Sequence, residues 1–360
     1  MERSAKDSIK AEHSETGLFF EKILSAFEKA SRKSGGNIDH FYEIAGSRVC
    51  FRFAGSALVP LISPAFAHLK VTCDKKPELT VLIWDSFSTK TALPATPRLG
   101  ENIRALTKRW RILNKRFLLL FYPENKTLYM LDKCRNTAVF WVQNYRKIVQ
   151  YEIGSPLLAI FNLWFRCRSI QLVHAGAVGG PEGGVLIVGK GGSGKSTTVL
   201  SCLENGLLYT GDDYCLLSAN PIPYVYSIYS TAKIFTRDKY RFPGLEPALM
   251  NISVRENIDK SVFSIHRIFP RKILRRFPLK AVVIPKIIEG ACPRLVKASS
   301  ASGLLALGPS TLFQLPGYDR QMFQNLGRVV KMVPNYVLEC SKNFSQNAVL
   351  ISRLLSGDMI

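Results

Sequence analysis

A chain of 360 residues with 47% hydrophobic content is long enough to bury a sizeable core and to form two domains, which excludes a disordered or fibrous class. Its formal net charge of +22 implies an acidic partner, whether nucleotide, nucleic acid, anionic membrane surface or acidic peptide, and charge alone does not choose among these. Eight cysteines without a C-x-x-C pair or a regular spacing point to small buried hydrophobes in a reducing compartment, not to a disulfide framework or a zinc site. The charged start, residues 1–11, is unlike a signal peptide, and no apolar run approaches the ~20 residues that span a bilayer, so a cytoplasmic protein is expected.

In chain order, residues 1–37 predict a helical segment whose apolar side carries Leu18, Phe19, Ile23, Leu24 and Phe27, ended by Ser34-Gly35-Gly36-Asn37. Residues 41–53 alternate around Ala45-Gly46-Ser47, as a hairpin does, and a strand follows at 79–84. Residues 88–100 are loop-like, and strands are expected at 117–122, 127–131 and 137–142, so that 38–153 reads as a β-rich module. At Gly154-Ser155-Pro156 a serine cap and a proline at the first helical position predict a helix over 157–165, opening a second domain, 154–360. Within it, strands are expected at 172–178, 185–188, 207–210, 214–217, 224–229, 281–284 and 294–297, with helices near 302–307 and 345–355.

Four apolar residues, Val185 to Val188, run into Gly189-Lys190-Gly191-Gly192-Ser193-Gly194-Lys195-Ser196-Thr197, and a helix-like stretch over 198–205 runs out. Strand, glycine-rich turn and helix start are the context of a phosphate-binding loop. Backbone N–H groups and the helix N-terminus would cradle the anion, Lys195 would reach the β- and γ-phosphates of ATP, and Ser196 would ligate Mg²⁺. A helix of about ten residues travels ~15 Å from the loop, and the strand ending at Gly211 returns ~16 Å. Asp212 and Asp213 therefore land back beside the loop, where one carboxylate could hold Mg²⁺ and the other take a proton from an attacking hydroxyl. A solvated turn is the plain alternative for Gly211-Asp212-Asp213. His174 lies on the expected strand that is hairpin partner to the one entering the loop, and reads either as a satisfied core histidine or as a group facing the transferred phosphoryl.

Basic residues cluster at Lys108, Arg109, Arg111, Lys115 and Arg116 around Trp110, and at Arg267, Arg271, Lys272, Arg275 and Arg276. Each cluster reads as a solvated face or as a dock for an acidic peptide, and no nucleic-acid motif accompanies them.

His174-Ala175-Gly176-Ala177-Val178, the loop at 189–197, residues 207–213 and Tyr226-Ser227-Ile228-Tyr229-Ser230-Thr231-Ala232-Lys233 together resemble the kinase domain of HPr kinase/phosphorylase and its HPr-kinase-like relatives, some of which act beside peptide-modification enzymes. The resemblance covers roughly 154–360. It implies an α/β P-loop kinase domain related to phosphoenolpyruvate carboxykinase, preceded here by the smaller β-rich module, with ATP and Mg²⁺ as cofactors and a serine hydroxyl of a peptide or protein as acceptor. His174, Asp212 and Asp213 match the family's catalytic positions, with Ser196, Asp212 and Asp213 as the metal set. The family's glutamate-containing signature is not evident, and Lys233 stands in that neighbourhood, so the resemblance does not extend to reversal by phosphate or to HPr as acceptor. Two other readings are an ATPase of the septum-placing and arsenite-pump kind, in which Lys190 would be the extra lysine and ATP would drive dimerisation, and a nucleotide-binding module without chemistry. The position of the loop, with nearly half the chain and a hairpin before it, favours the kinase.

Overall fold

The computed structural model describes residues 2–95, 110–250, 260–288, 292–317, 319–341 and 343–358, and Lys108 and Arg109 lie outside them. By contacts the chain divides into two units, one of residues 1–43, 47–63 and 71–149, the other of 44–46, 64–70 and 150–360.

The first unit pairs a long helix with a mixed sheet. Its elements are α1 (Glu2–Lys33), β1 (Asn37–Ile44), β2 (Ser47–Ala54), α2 (Val59–Ile62), β3 (Lys70–Val71), β4 (Leu79–Asp85), α3 (Ser86–Thr89), β5 (Trp110–Leu113), β6 (Phe117–Tyr122), β7 (Thr127–Asp132) and β8 (Thr137–Val142). The sheet order is β3-β1-β2-β4-β8-β7-β6-β5, with β4 parallel to both β2 and β8. Phe19, Phe20, Ile23 and Phe27 of α1 pack on Trp84, Phe117, Leu119 and Val139. Leu18, expected in this stripe, is 62% exposed. The 3.6-residue period puts Phe20 on the line of Ile23 and Phe27 and leaves Leu18 off it. Arg116, from the first basic cluster, is tied to the buried Asp132 at 2.7 Å.

The second unit runs α4 (Gln150–Gly154), α5 (Leu158–Arg166), β9 (Ile170–Val173), β10 (Gly176–Gly180), β11 (Gly183–Ile187), α6 (Lys195–Glu204), β12 (Leu208–Gly211), β13 (Cys215–Ser218), β14 (Tyr224–Tyr226), β15 (Thr231–Phe235), β16 (Lys260–Ser264), α7 (Ile265–Ile268), β17 (Arg276–Ile287), β18 (Arg294–Ala298), α8 (Ser300–Gln314), α9 (Arg320–Met332), β19 (Asn335–Cys340) and α10 (Phe344–Ser356). Its main sheet runs β12-β10-β11-β17-β14-β13-β9, with β19 beside β17 and β18 beside β19. The twelve-residue β17 is the spine. Its start, Arg276 to Pro278, is antiparallel to β14, while its later residues are parallel to β11 and to β19.

Helices cover the central strands on both faces, which is why those strands read as unbroken apolar runs. Val178, Val185, Ile187 and Val283 pack with Val199 and Leu203 of α6 and with Ala348 and Ile351 of α10. The alternate residues Ala177, Leu186, Val188 and Val282 pack with Leu307 of α8 and Met322, Leu326 and Val329 of α9.

Several expectations are corrected. The strand foreseen at 172–178 is two strands, because the backbone leaves the ladder at His174, whose N–H donates to Thr311 Oγ1 at 3.0 Å. β9 then pairs with β13, and β10 with β11 and β12. Ser155 is not a helix cap. α4 ends at Gly154, Leu157 sits at φ 61°, and the Ser155 hydroxyl is taken by Lys233. The strand foreseen at 224–229 stops at Tyr226. β5, β15, β16, β19 and α9 were not foreseen, the strands being only four to six residues long. Of the eight cysteines, four are buried and four exposed, so burial explains only half of them.

The β10–β11 hairpin brings Gly179 opposite Gly184. A Cβ on Gly179 would lie 2.4 Å from Gly184 Cα and 2.6 Å from Gly183 O, both backbone atoms with no freedom to yield, whereas one on Gly180 would meet nothing. Gly179→Ala is expected to cost at least about 1–3 kcal/mol of unfolding free energy, and Gly180→Ala much less. Paired urea titrations check this, and equal midpoints for the two variants would contradict the close approach.

Candidate functional site

β11 ends at Ile187 and α6 begins at Lys195, so the glycine-rich loop joins a central strand to a helix N-terminus. Gly189, Gly192 and Gly194 hold φ of 149°, 79° and 97°, a region that side chains disfavour. A Cβ at Gly189 would also strike Ser193 Oγ at 2.6 Å. The first turn of α6 carries N–H groups that no helical carbonyl can satisfy, and their partial positive charge faces the loop. Lys195 lies almost buried, with its ammonium folded onto Gly189 O at 2.7 Å and Lys190 O at 3.1 Å. Burial lowers its pKa, and the charges of Asp212 and Asp213 oppose that shift. The Lys190 side chain is exposed.

β12 returns antiparallel to β10, which is itself antiparallel to β11, so the ends of β11 and β12 lie on one edge. Asp212 and Asp213 follow β12 there. Both are held by a single residue of β15. The Lys233 backbone N–H donates to Asp212 Oδ2 at 2.9 Å, and its ammonium donates to Asp213 Oδ2 at 2.7 Å and to Ser155 Oγ at 2.9 Å. His174 Nε2 meets the other oxygen of Asp213 at 3.1 Å.

The two carboxylates are thereby made unlike. Burial pushes the pKa of Asp212 from 3.8 to about 6, against the Lys233 N–H and the nearby Ser196 hydroxyl, which favour the charged form. Its Oδ1 is buried without a geometric hydrogen bond among the described residues. Burial would raise Asp213 too, but the Lys233 charge and then the His174 hydrogen bond outweigh it and hold the group far below 3.8. The Lys233 charge also acts on Glu152 of α4, whose pKa burial nevertheless raises from 4.5 to about 8.

Asp213, His174, Lys195 and Lys233 line a cavity of about 390 Å³, together with Gly191, Gly192, Gly194, Ser196, Thr197 and the cations Arg237, Arg241 and Lys260. The later part of the loop, Asp213 and His174 therefore line one cavity, while Asp212 is buried outside its lining, held by the Lys233 N–H. Among the described residues no cluster of three His, Cys, Asp or Glu could hold a metal ion. Mg²⁺ asks for less, since it keeps several waters and takes one or two protein ligands besides phosphate oxygens. Ser196, on the cavity wall, offers one such ligand, and Asp212, whose charged form the Ser196 hydroxyl favours, offers a second although it is itself buried. Both oxygens of Asp213 are already engaged by cationic or N–H donors. Sequence reasoning marked Lys233 only as a departure from a pattern and missed that it holds both aspartates. The available signal was a lysine set between Ala232 and Ile234 in an apolar run.

Lys233→Met would leave Asp213 charged and largely buried, with only His174 as partner. The expected cost is about 3 kcal/mol, read from urea midpoints, and a cost under about 1 kcal/mol would show the pair to be solvated. For Glu152 the folded pKa is raised, so the unfolded chain releases its proton first and stability falls as pH climbs from 4.5 toward 8. Glu152→Gln removes this penalty. The variant should gain on the parent between pH 5 and 8 in paired denaturation curves, and a constant difference across that window would contradict the shift.

No protein-family model matches this chain, and no curated protein matches it. Among solved structures it is similar to the HPr(Ser) kinase/phosphatase from Coxiella burnetii, at 12% identity and a TM-score of 0.29 over 52% of this chain and 99% of that one, a likeness too remote to bear on function.

Proposed function

We propose that the second unit is an ATP-dependent kinase that transfers the γ-phosphoryl group to a hydroxyl, that of a serine in a peptide or protein. The observation that carries this reading is that Asp213, held ionised by Lys233 and His174, lines one cavity with Lys195, Ser196 and the loop glycines, while its neighbour Asp212 is buried outside that lining with its pKa raised and the Ser196 hydroxyl favouring its charged form. A simple nucleotide-binding module would have no use for the ionised Asp213.

The loop N–H groups and Lys195 bind the triphosphate, for which the ammonium must leave Gly189 O and Lys190 O. Ser196 and Asp212 hold Mg²⁺, which when bound neutralises charge on the phosphate oxygens. Asp213 orients the acceptor hydroxyl. As the hydroxyl oxygen bonds to the γ-phosphorus, the bond from that phosphorus to the β–γ bridging oxygen breaks, ADP leaves, and the hydroxyl proton passes to Asp213. The loose transition state of phosphoryl transfer asks mainly for positioning and charge, so a weakly basic carboxylate suffices. His174 keeps Asp213 in place from the opposite side to Lys233. The cations Arg237, Arg241 and Lys260 around the cavity suit an acidic acceptor.

Incubation with γ-labelled ATP, Mg²⁺ and serine-containing acidic peptides tests the reading. Label on a peptide hydroxyl supports the kinase, and label released only as free phosphate would make the protein an ATPase. Asp213→Asn is expected to leave Mg·ATP affinity within a few-fold and to slow transfer by about 10²- to 10⁴-fold, whereas Asp212→Asn should weaken Mg·ATP binding as well. Near-parental transfer by both variants would place the chemistry elsewhere.

A further inference from the structure

A second cavity, of about 450 Å³, adjoins the first and shares Gly194, Thr197, Arg241 and Ile287 with it. It lies where β17 and β19 end, at Ile287 and Cys340, and is closed by Phe344 at the start of α10 and by Tyr240. The carboxyl ends of parallel strands are where open α/β sheets receive ligands. The size falls in the range of small-molecule sites.

Its chemistry is that of a slot for a flat ring. Ile287 and Tyr240 are 68% and 71% exposed, a large apolar surface left open at the mouth. The Arg241 guanidinium stands 5.2 Å from the Phe344 ring centre, and Phe344 stacks on Phe242 at 6.4 Å. The polar groups of the wall are turned inward. Asn347 holds the backbone N–H and carbonyl of Ser341, the Ser341 hydroxyl donates to Asn343 O, and Thr198 Oγ1 donates to Gly194 O. Among the described residues, the wall therefore offers faces to stack on and few groups to read an edge.

We propose that this cavity is the nucleoside site of the phosphoryl donor, holding the base by stacking on Phe344, Tyr240 and Arg241 and selecting weakly among bases. The inference rests on the nucleotide reading above. Thr197 and Gly194 belong to both cavities, so a nucleotide whose phosphates lie on the loop can pass from one to the other without leaving the wall.

Calorimetry with the full chain, Mg²⁺ and each of ATP, GTP and base-free tripolyphosphate tests it. GTP is expected to bind within about threefold of ATP, and tripolyphosphate about tenfold or more weakly, the loss of one stacked base. Phe344→Leu, which keeps an apolar side chain on α10, and Tyr240→Ala, at a residue too exposed to matter for folding, should each weaken ATP and GTP severalfold and leave tripolyphosphate unchanged. Equal affinities of ATP and tripolyphosphate for parent and variants would overturn the nucleoside site and spare the phosphate loop. A preference between ATP and GTP of a hundredfold or more would overturn recognition by stacking. Binding of none of the three would remove both this proposal and the reading on which it rests.

Discussion

One buried ammonium governs the site. Lys233 sends its ammonium from β15 to Asp213 and Ser155, its backbone N–H holds Asp212, and its charge reaches Glu152. Two like charges on neighbouring residues repel, and burial penalises each of them. The conflict is resolved asymmetrically, with a full positive charge on Asp213 and only a backbone N–H on Asp212. Burial raises the pKa of Asp212 and the N–H bond only moderates it, whereas the Lys233 charge outweighs the burial of Asp213 and holds it well below its ordinary value. Different roles for two identical side chains follow from which arm of Lys233 each one meets.

The sheet makes that arrangement possible. β10 separates β11 from β12, and the close contact of Gly179 with Gly184 keeps the hairpin tight, so the loop after β11 and the aspartates after β12 emerge on the same edge. Gly176 contributes as well, since a Cβ there would strike Val199 of α6 at 2.4 Å. Helix and strand can approach only because that side chain is missing, and the approach seats the helix N-terminus beside the carboxylates.

What the sequence made legible was local. Strand, glycine-rich turn and helix are contiguous over 185–205, and the aspartates could be placed from element lengths alone, because one helix and one short strand close a circuit whose rise per residue is known. The partners of Lys233 could not be read in this way. They come from 78 and 20 residues earlier, Ser155 and Asp213, across a pairing of strands that local pattern does not specify. Ser155 shows the failure most plainly. Serine before proline has the composition of a helix cap, but a tertiary contact claimed its hydroxyl, and the helix began three residues later. The break in the strand at His174 was missed for a related reason, since an apolar run gives no sign that the backbone there bonds Thr311, 137 residues away, and leaves the ladder. Leu18 and Phe20 were exchanged by a phase error of less than one turn.

The length of β17 has a consequence for how the second unit comes apart. Its first residues are bonded to β14 and its later ones to both β11 and β19, so this strand is common to both ends of the sheet. Pulling β17 away would strip β11 of its parallel neighbour and separate β19 and β18 from the rest in the same event. The ribbon of β15 and β16 stands outside the main sheet by its pairing, yet Ala232, Ile234 and Phe263 are buried in one cluster with Val185, Ile187 and Val199, so packing ties it to the central strands. That ribbon carries Lys233. The residue that bonds both aspartates thus sits on a ribbon whose apolar side chains share the core of the central strands, and loosening the site would have to unpack that core as well.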